Sequence, residues 1–498
     1  MVNLSAQIRH FALRTPDKVA LIYEDQRITY ADFHDRIVKL GGWLKAQGVQ
    51  PDHVVAALMK NSAAFLELAY AVSHIGAVFL PINFRLATDE VDYIFANSGA
   101  VMMMVDEELA DVARNIMCKK RVDAEAQRDT RVISEFHPDA PLEPRKPQDL
   151  YRLMYTSGTT DRPKGVVHLY ENYYWKSWDQ IADLKLSADD RMLVVGPLYH
   201  VGAFDLPGIA VLDMGGTMLV MRDFDPEAAL AAIERERLTC AWFAPVMLGR
   251  MLALEGRERF DLSSFRWCIG GGERTPEGRI RAFTGLFPNA RYIDGYGLTE
   301  TVGGDTLMEA GREIEKIGST GRALAHVEIT IRDNDGNVLP AGTEGEICLR
   351  GPKVLPRYWN DPEKTAASFF GDWFRSGDVG YLDADGFLFL TDRKKDMIIS
   401  GGENIASSEV ERVLYQMPEV AECAVIGLPD ERWGERPVAV VVPRAGAALD
   451  LAALDAHCRA HLAAFKVPKQ LVLRDVLPRN PSGKVLKRVL RDELAGAA

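Results

Sequence analysis

Apolar and polar positions alternate along this chain in two rhythms. Residues 29–49, "TYADFHDRIVKLGGWLKAQGV", read as a capped amphipathic helix that ends near a glycine. Residues 53–83, "HVVAALMKNSAAFLELAYAVSHIGAVFLPIN", read as strand, helix, strand, and the same order recurs at 192–221 and 238–270. Strands alternating with helices predict largely parallel sheets in an α/β body. From about residue 316 the texture changes. "VEITIRDNDGNVLPAGTEGEICLRG" has short strands with Asp/Gly turns, which predicts an antiparallel, barrel-like region. "YLDADGFLFLTDRKKDMIISGGENIASSEVERVLYQMPEV" then gives a hairpin, a charged joint, a Gly-Gly turn and a helix.

These patterns divide the chain into a large N-terminal region, 1–393, of two α/β subdomains plus a β-barrel-like one, and a small α+β C-terminal domain, 394–498. The polar stretch 136–149, "FHPDAPLEPRKPQD", reads as a surface linker. No internal repeat or low-complexity tract is evident.

Composition narrows the function. The 498 residues are 47% hydrophobic and 26% charged, ordinary for a globular protein. A net charge of -12 argues against nucleic acid and against a polybasic membrane anchor. Cys118, Cys240, Cys268, Cys348, Cys423 and Cys458 lie far apart, and most have apolar neighbours. Reduced, buried thiols in a cytoplasmic protein are expected. No signal peptide and no membrane span are expected, since no apolar run is long enough.

The chemistry starts at "LMYTSGTTDRPKGVV", 153–167, where an apolar strand enters a loop of small hydroxyl residues and an apolar run leaves it. Backbone amides and hydroxyls in such a loop can surround phosphate oxygens, and Lys164 adds a point charge. It is not a Walker A loop, because Lys164 precedes Gly165 instead of opening a helix before Ser or Thr. Composition alone would equally suit a flexible surface linker.

The accompanying strings decide the matter. They are "YGLTE" at 296–300, "DWFRSGDVG" at 372–380, "DRKKDMIISGGENI" at 392–405 and "PRNPSGKVLK" at 478–487. In this order the set resembles the adenylate-forming superfamily, over essentially the whole chain. The closest texture is that of acyl-CoA synthetases and feruloyl-type CoA ligases.

The resemblance implies ATP, Mg2+ and coenzyme A, with a carboxylic acid activated as an acyl-adenylate and passed to CoA as AMP leaves. Thr156, Ser157, Gly158, Thr159, Thr160 and Lys164 would form the phosphate loop. Asp161 replaces the family's usual glycine and is expected to point outward, with Arg162 offsetting its charge. Thr299 would hydrogen-bond the α-phosphate and Glu300 would hold Mg2+. Tyr296, Gly297 and Asp294 would face adenine, and Gly271, Gly272 and Glu273 would pass over it. Asp378 and Arg393 would hold the ribose hydroxyls. Lys484 would bring the acid carboxylate and the α-phosphate together, and rotation about Lys395 would then withdraw it.

For the second step the resemblance assigns CoA contacts to Arg85, Gly401, Gly402, Trp433, Phe465 and Lys469, with Val467 where a relative has Arg. The acyl pocket would be lined by Tyr199, His200, Gly202, Ala203, Trp242, Phe243 and Gly303, with His200 a gate beside the carboxylate. Gly202 stands where amino-acid-activating domains carry Asp, so an amino acid is disfavoured, and Asp205 is a false match. The small residues suggest room for a fatty chain or an aryl-propenoate, and both stay open. The alternatives are loading of a carrier-protein thiol and a degenerate nucleotide-binding protein. Partners would be the small-molecule acid and CoA, and a homodimer stays open.

Overall fold

The computed structural model describes residues 3–113, 121–122, 137–156, 162–271, 277–393, 396–400, 403–430, 432–479 and 485–495. Two compact units emerge. One comprises Met1–Glu315, Gly321–Glu328 and Leu349–Phe374, and the other Lys316–Thr320, Ile329–Cys348 and Arg375–Ala498.

In the first unit, the helix foreseen at 29–49 runs Tyr30–Ala46. Thr29 accepts from the Asp32 backbone N–H while the Asp32 carboxylate reaches back to Thr29, a reciprocal cap that fixes the start. The strand–helix–strand reading of 53–83 becomes Val54–Leu58, Ala63–His74 and Val78–Pro81. Those strands belong to a six-stranded sheet in the order Arg121–Val122, Met102–Val105, Val54–Leu58, Val78–Pro81, Leu150–Thr156, Lys164–Leu169. It is parallel except for the last pair. The strand Val54–Leu58 is buried along its whole length, as parallel strands covered on both faces must be.

A second group of strands in this unit runs in the order Thr306–Leu307, Arg291–Tyr296, Trp267–Gly270, Cys240–Phe243, Arg191–Val194, Thr217–Val220, Val19–Tyr23, Gln26–Thr29. It too is parallel through its middle.

From residue 137 on, the stretch 136–149 is irregular and mostly exposed, as expected of a surface linker, but it is tied down by specific bonds. The Ala140 N–H bonds Val38 O and the Glu143 N–H bonds His74 O, each at 2.9–3.0 Å, and Ala140 is buried. Arg145 ties the segment down further through Asp52 and Asp149. Pro and charge density marked it as irregular, but backbone hydrogen bonds keep it on the surface of two helices.

In the second unit, which takes the strand Trp373–Leu382 from Arg375 on, that strand and Phe387–Arg393 form an antiparallel pair. Among the described residues these strands are part of an open sheet, with no closed barrel. The C-terminal sheet runs Glu403–Ile405, Ile398–Ser400, Gly434–Pro443, Val420–Asp430, with Gln470–Leu473 parallel to Gly434–Pro443. Its two faces separate by the two-residue period of a strand. Cys423, Val425, Ala439 and Val441 pack with Val410, Leu414, Leu454 and Cys458. Ala424, Ile426, Val438 and Val440 pack with Leu490. Lys395, the expected hinge, lies outside the described residues. Among the described cysteines all five are buried and free. No helix of the described residues is long and apolar enough to cross a membrane.

Candidate active site

The strand Arg291–Tyr296 delivers Asp294 and Tyr296, both buried, to the edge of a tight loop. At Gly297 a Cβ would stand 2.2 Å from the Gly304 backbone N, so only glycine lets the two chain segments pass. The loop closes through Gly303 N–H to Leu298 O at 2.9 Å and Asp305 N–H to Tyr296 O at 2.7 Å. Val302 has φ +60°, an unfavourable value for a β-branched residue. Such strain persists where surrounding bonds over-determine the backbone.

Thr299 and Glu300 sit on this loop. The Tyr358 hydroxyl donates to Glu300 Oε1 at 2.9 Å, and the Leu355 N–H donates to Glu300 O at 2.7 Å. Burial, with the Glu300 charge beside it, pushes the Tyr358 phenol well up, so it stays a donor. A single carboxylate held in this way suits Mg2+, which is commonly held by one or two carboxylates together with substrate phosphates.

Thr156 and Lys164 are paired across the antiparallel strands Leu150–Thr156 and Lys164–Leu169. They therefore bracket the phosphate-loop string, although Ser157, Gly158, Thr159, Thr160 and Asp161 lie outside the described residues. Burial lowers the Lys164 pKa, neighbouring Lys364 lowers it further, and Asp361 and Glu300 oppose this. Two ammonium groups so close are poised for an arriving polyanion. Arg162 lies over the Tyr93 ring at 5.2 Å. Gly271 is close to Trp242, at 3.5 Å from its Nε1 to a Cβ built there. Gly272 and Glu273 lie outside the described residues.

On the acid side, His200 caps the short helix Val201–Phe204, its Nδ1 accepting from the Gly202 N–H at 3.0 Å. The remaining proton of the neutral ring is therefore on Nε2. Burial lowers the His200 pKa and Asp205 partly restores it. Trp242 lies 6.4 Å from the His200 ring, tilted by 32°. Tyr199 packs edge-on to Phe84, and burial pushes its phenol up to about 12. Ala203 and Phe243 are buried, and Gly303 lies near Val201. Arg85 is exposed and lies over Phe84 at 5.4 Å.

Asp205 is fully buried, and its Oδ2 accepts from the Arg152 guanidinium at 2.7 Å. It is engaged with that cation, in keeping with its reading as a false match for an amine-binding Asp.

In the second unit, Asp378 is buried, in strand register with Arg393. Gly377 before it has φ +73°. Trp433 and Phe465 are large aromatics left 45% and 39% exposed, with Arg432 and Lys466 over their rings at 4.7 and 5.7 Å. Lys469 Nζ donates to Ala464 O at 3.2 Å. Val467 is a fully buried core residue, which accounts for an apolar side chain there. Gly401, Gly402 and Lys484 lie outside the described residues.

Four site residues were not foreseen from sequence: Asn61, Arg152, His168 and Tyr358. Asn61 pins the acyl-side loop by donating to Gly196 O and accepting from the Leu198 N–H, both at 2.8 Å. Arg152 alone carried a signal, as a charge inside the apolar string "LYRLMY", where a buried cation needs a partner.

Comparison with known proteins gives the family. The AMP-binding enzyme family matches residues 8–359, and the AMP-binding enzyme C-terminal domain matches 409–484. A feruloyl-CoA synthase of Amycolatopsis sp is 38% identical over 480 residues, 96% of each chain. A long-chain-fatty-acid–CoA ligase of Mycobacterium tuberculosis is 35% identical over 507 residues, 99% of each chain. The o-succinylbenzoate CoA synthetase of Bacillus subtilis, solved with its acyl-adenylate, superposes with a TM-score of 0.87 at 30% identity over 98% of each chain. The chain therefore belongs to the AMP-binding enzyme family and is an AMP-forming acid–CoA ligase working through an acyl-adenylate.

Proposed function

We propose that this ligase activates a compact aromatic acid of the aryl-alkenoate type. Trp242 carries the choice. A Cβ built at Gly196 or Gly202 would stand 2.6 or 2.7 Å from its indole. The room that these small residues suggest is therefore filled by a flat ring, beside His200. A rigid planar wall complements a planar acid, whereas a long flexible chain needs an open continuation. The 38% identical relative named feruloyl-CoA synthase points the same way.

The roles follow from charge. In the first step the acid carboxylate attacks the α-phosphorus of ATP and pyrophosphate leaves. Both reactants are anions, so catalysis rests on cations and oriented donors. Lys484 takes the role of the cation between carboxylate and phosphate. Thr299 offers its hydroxyl to the α-phosphate, and Lys164 faces the phosphates that leave. Bound to Glu300, Mg2+ would neutralise phosphate charge. Asp378 accepts from the ribose hydroxyls, with Arg393 beside it. In the second step the CoA sulfur bonds to the acyl carbon, the acyl–phosphate oxygen bond breaks, and the thiol proton goes to solvent. Trp433, Phe465 and Lys469 suit the adenine and phosphates of CoA, because exposed rings with adjoining cations match those groups.

A panel of aromatic and saturated acids, scored by CoA-dependent AMP release, tests this reading. The expected kcat/KM for an aryl-propenoate exceeds that for a long saturated acid by about tenfold or more. Preference for the long saturated acid would overturn the aromatic assignment. Acyl transfer to a carrier-protein thiol but not to free CoA would overturn the CoA assignment.

A further inference from the structure

We propose that Asp205, Arg152 and His168 form a positioning relay that sets the orientation of Thr299 and Glu300 by holding the Thr299 carbonyl. The strand register pairs Arg152 with His168, and both are fully buried. Arg152 Nη2 donates to Asp205 Oδ2 at 2.7 Å, and its Nε and Nη2 meet His168 Nδ1 at 3.1 and 3.0 Å. At the far side of the same ring, Nε2 lies 2.6 Å from Thr299 O.

The direction of the relay is forced. A guanidinium has donors and no acceptor, so Nδ1 must present its lone pair. The proton of the neutral ring is then on Nε2, where it donates to the carbonyl. Thr299 O and Glu300 N belong to one planar peptide. Fixing that plane fixes ψ of Thr299 and φ of Glu300, and so the direction in which both side chains leave the loop. From the other side Tyr358 and the Leu355 N–H hold Glu300. Asp205 is the residue that ends the helix Val201–Phe204. The relay thus spans the acid-side helix, both strands flanking the phosphate loop, and the nucleotide loop.

An apolar trio would fill this space without desolvating two charges. The polar one ends on a single target, a backbone carbonyl between two ligand-binding side chains. Outer groups that orient a ligand-binding residue characteristically change its effectiveness without touching the ligand.

The proposal rests on the reading that Thr299 and Glu300 serve the nucleotide, and the experiment separates the two. Acid-dependent ATP–pyrophosphate exchange, MgATP affinity by calorimetry, and thermal melting are measured for the full chain and its variants. His168→Leu removes the donor and is expected to lower exchange kcat by about 10- to 100-fold and to weaken MgATP binding, with the KM for acid unchanged. His168→Gln keeps a donor for Thr299 O and an acceptor for Arg152, and is expected to recover most of the loss. The double variant Arg152→Met with Asp205→Leu frees the ring and removes both members of that ion pair, and is expected to fall between them. A folded His168→Leu with normal kcat overturns the relay. So does a His168→Gln as impaired as His168→Leu, which would mean that ring shape matters and the donor does not. If His168→Leu does not fold, the Gln and double variants decide by the same comparison. Thr299→Val and Glu300→Gln report on the underlying reading: normal exchange in both sinks the nucleotide role itself, whereas impaired exchange in both with a normal His168→Leu sinks only the relay.

Discussion

The ground beneath the nucleotide loop and the C-terminal sheet solve the same problem in opposite ways. Beneath the loop, Lys353 is fully buried, donates to Gly304 O at 2.8 Å, and lies 3.0 Å from Asp179 and 3.7 Å from Asp305. Asp179 also meets His326 at 2.6 Å. Arg152, Asp205 and Lys176 add further buried charge. The C-terminal sheet instead separates two apolar faces cleanly, and of its candidate ligand groups Trp433, Phe465 and Lys469 stand outside those faces. The first region sets its candidate site on embedded charges, whose loss is expected to damage the fold. The second keeps fold and function apart. Substitutions in the first should therefore register in melting, and substitutions in the second in kinetics.

Lys353→Met should give the largest stability change. It leaves the buried Asp179 and Asp305 without their ammonium, and breaking a buried pair costs about 3–5 kcal/mol. Chemical denaturation checks it, and a cost under about 1 kcal/mol would show that the buried charges are not coupled as drawn.

Lys484→Ala is the opposite case. Acid-dependent pyrophosphate exchange should drop by about 100-fold or more, since one electrostatic group of this kind is commonly worth that much. Melting should not move, and thioester formation from preformed acyl-adenylate should persist. Equal loss in both half-reactions would remove the role assigned to this lysine.

Lys176 tests whether the buried network titrates. Burial lowers its pKa to about 8; Asp205 and Asp213 oppose the shift, and Arg152 and Lys353 reinforce it. Its ammonium has no hydrogen-bond partner and lies over the Tyr173 ring at 4.7 Å. Between about pH 8 and 10.5 the unfolded chain holds the extra proton, so folding is favoured as pH rises. Below pH 8 both states are protonated, and the full penalty, on the order of 3 kcal/mol, remains. The stability of Lys176→Met relative to the parent should therefore fall as pH rises through that window. A flat difference would mean that the lysine is hydrated in solution.

The contrast also explains what could be read from sequence. Capped and alternating segments such as 29–49 and 53–83 were legible because one helix or strand period dominates them. The family was legible because the residues of each motif are close in sequence. The Arg152–His168–Asp205 relay was not, because its members are 16 and 53 residues apart and meet only once two strands and a helix are in place. What fills the space beside Gly202 could not be read from its own neighbours in sequence, because a distant residue, Trp242, packs there.

Trp433 gives the smallest expected effect and the sharpest test of the C-terminal half of the comparison. Its indole is nearly half exposed with Arg432 over its face, an arrangement that adds little to a core. The turn beneath it is fixed independently, because Asp430 Oδ1 accepts from the Arg432 and Trp433 backbone N–H groups at 3.0 Å. Trp433→Ala should therefore leave melting and pyrophosphate exchange unchanged. Stacking an adenine on an aromatic ring is worth roughly 1–3 kcal/mol, so the KM for CoA should rise by about fivefold or more. Trp433→Phe, which keeps a ring, should recover part of that rise. An unchanged KM for CoA in Trp433→Ala would leave the exposed ring without a ligand, and fold and function would no longer be separable in this domain on the grounds given.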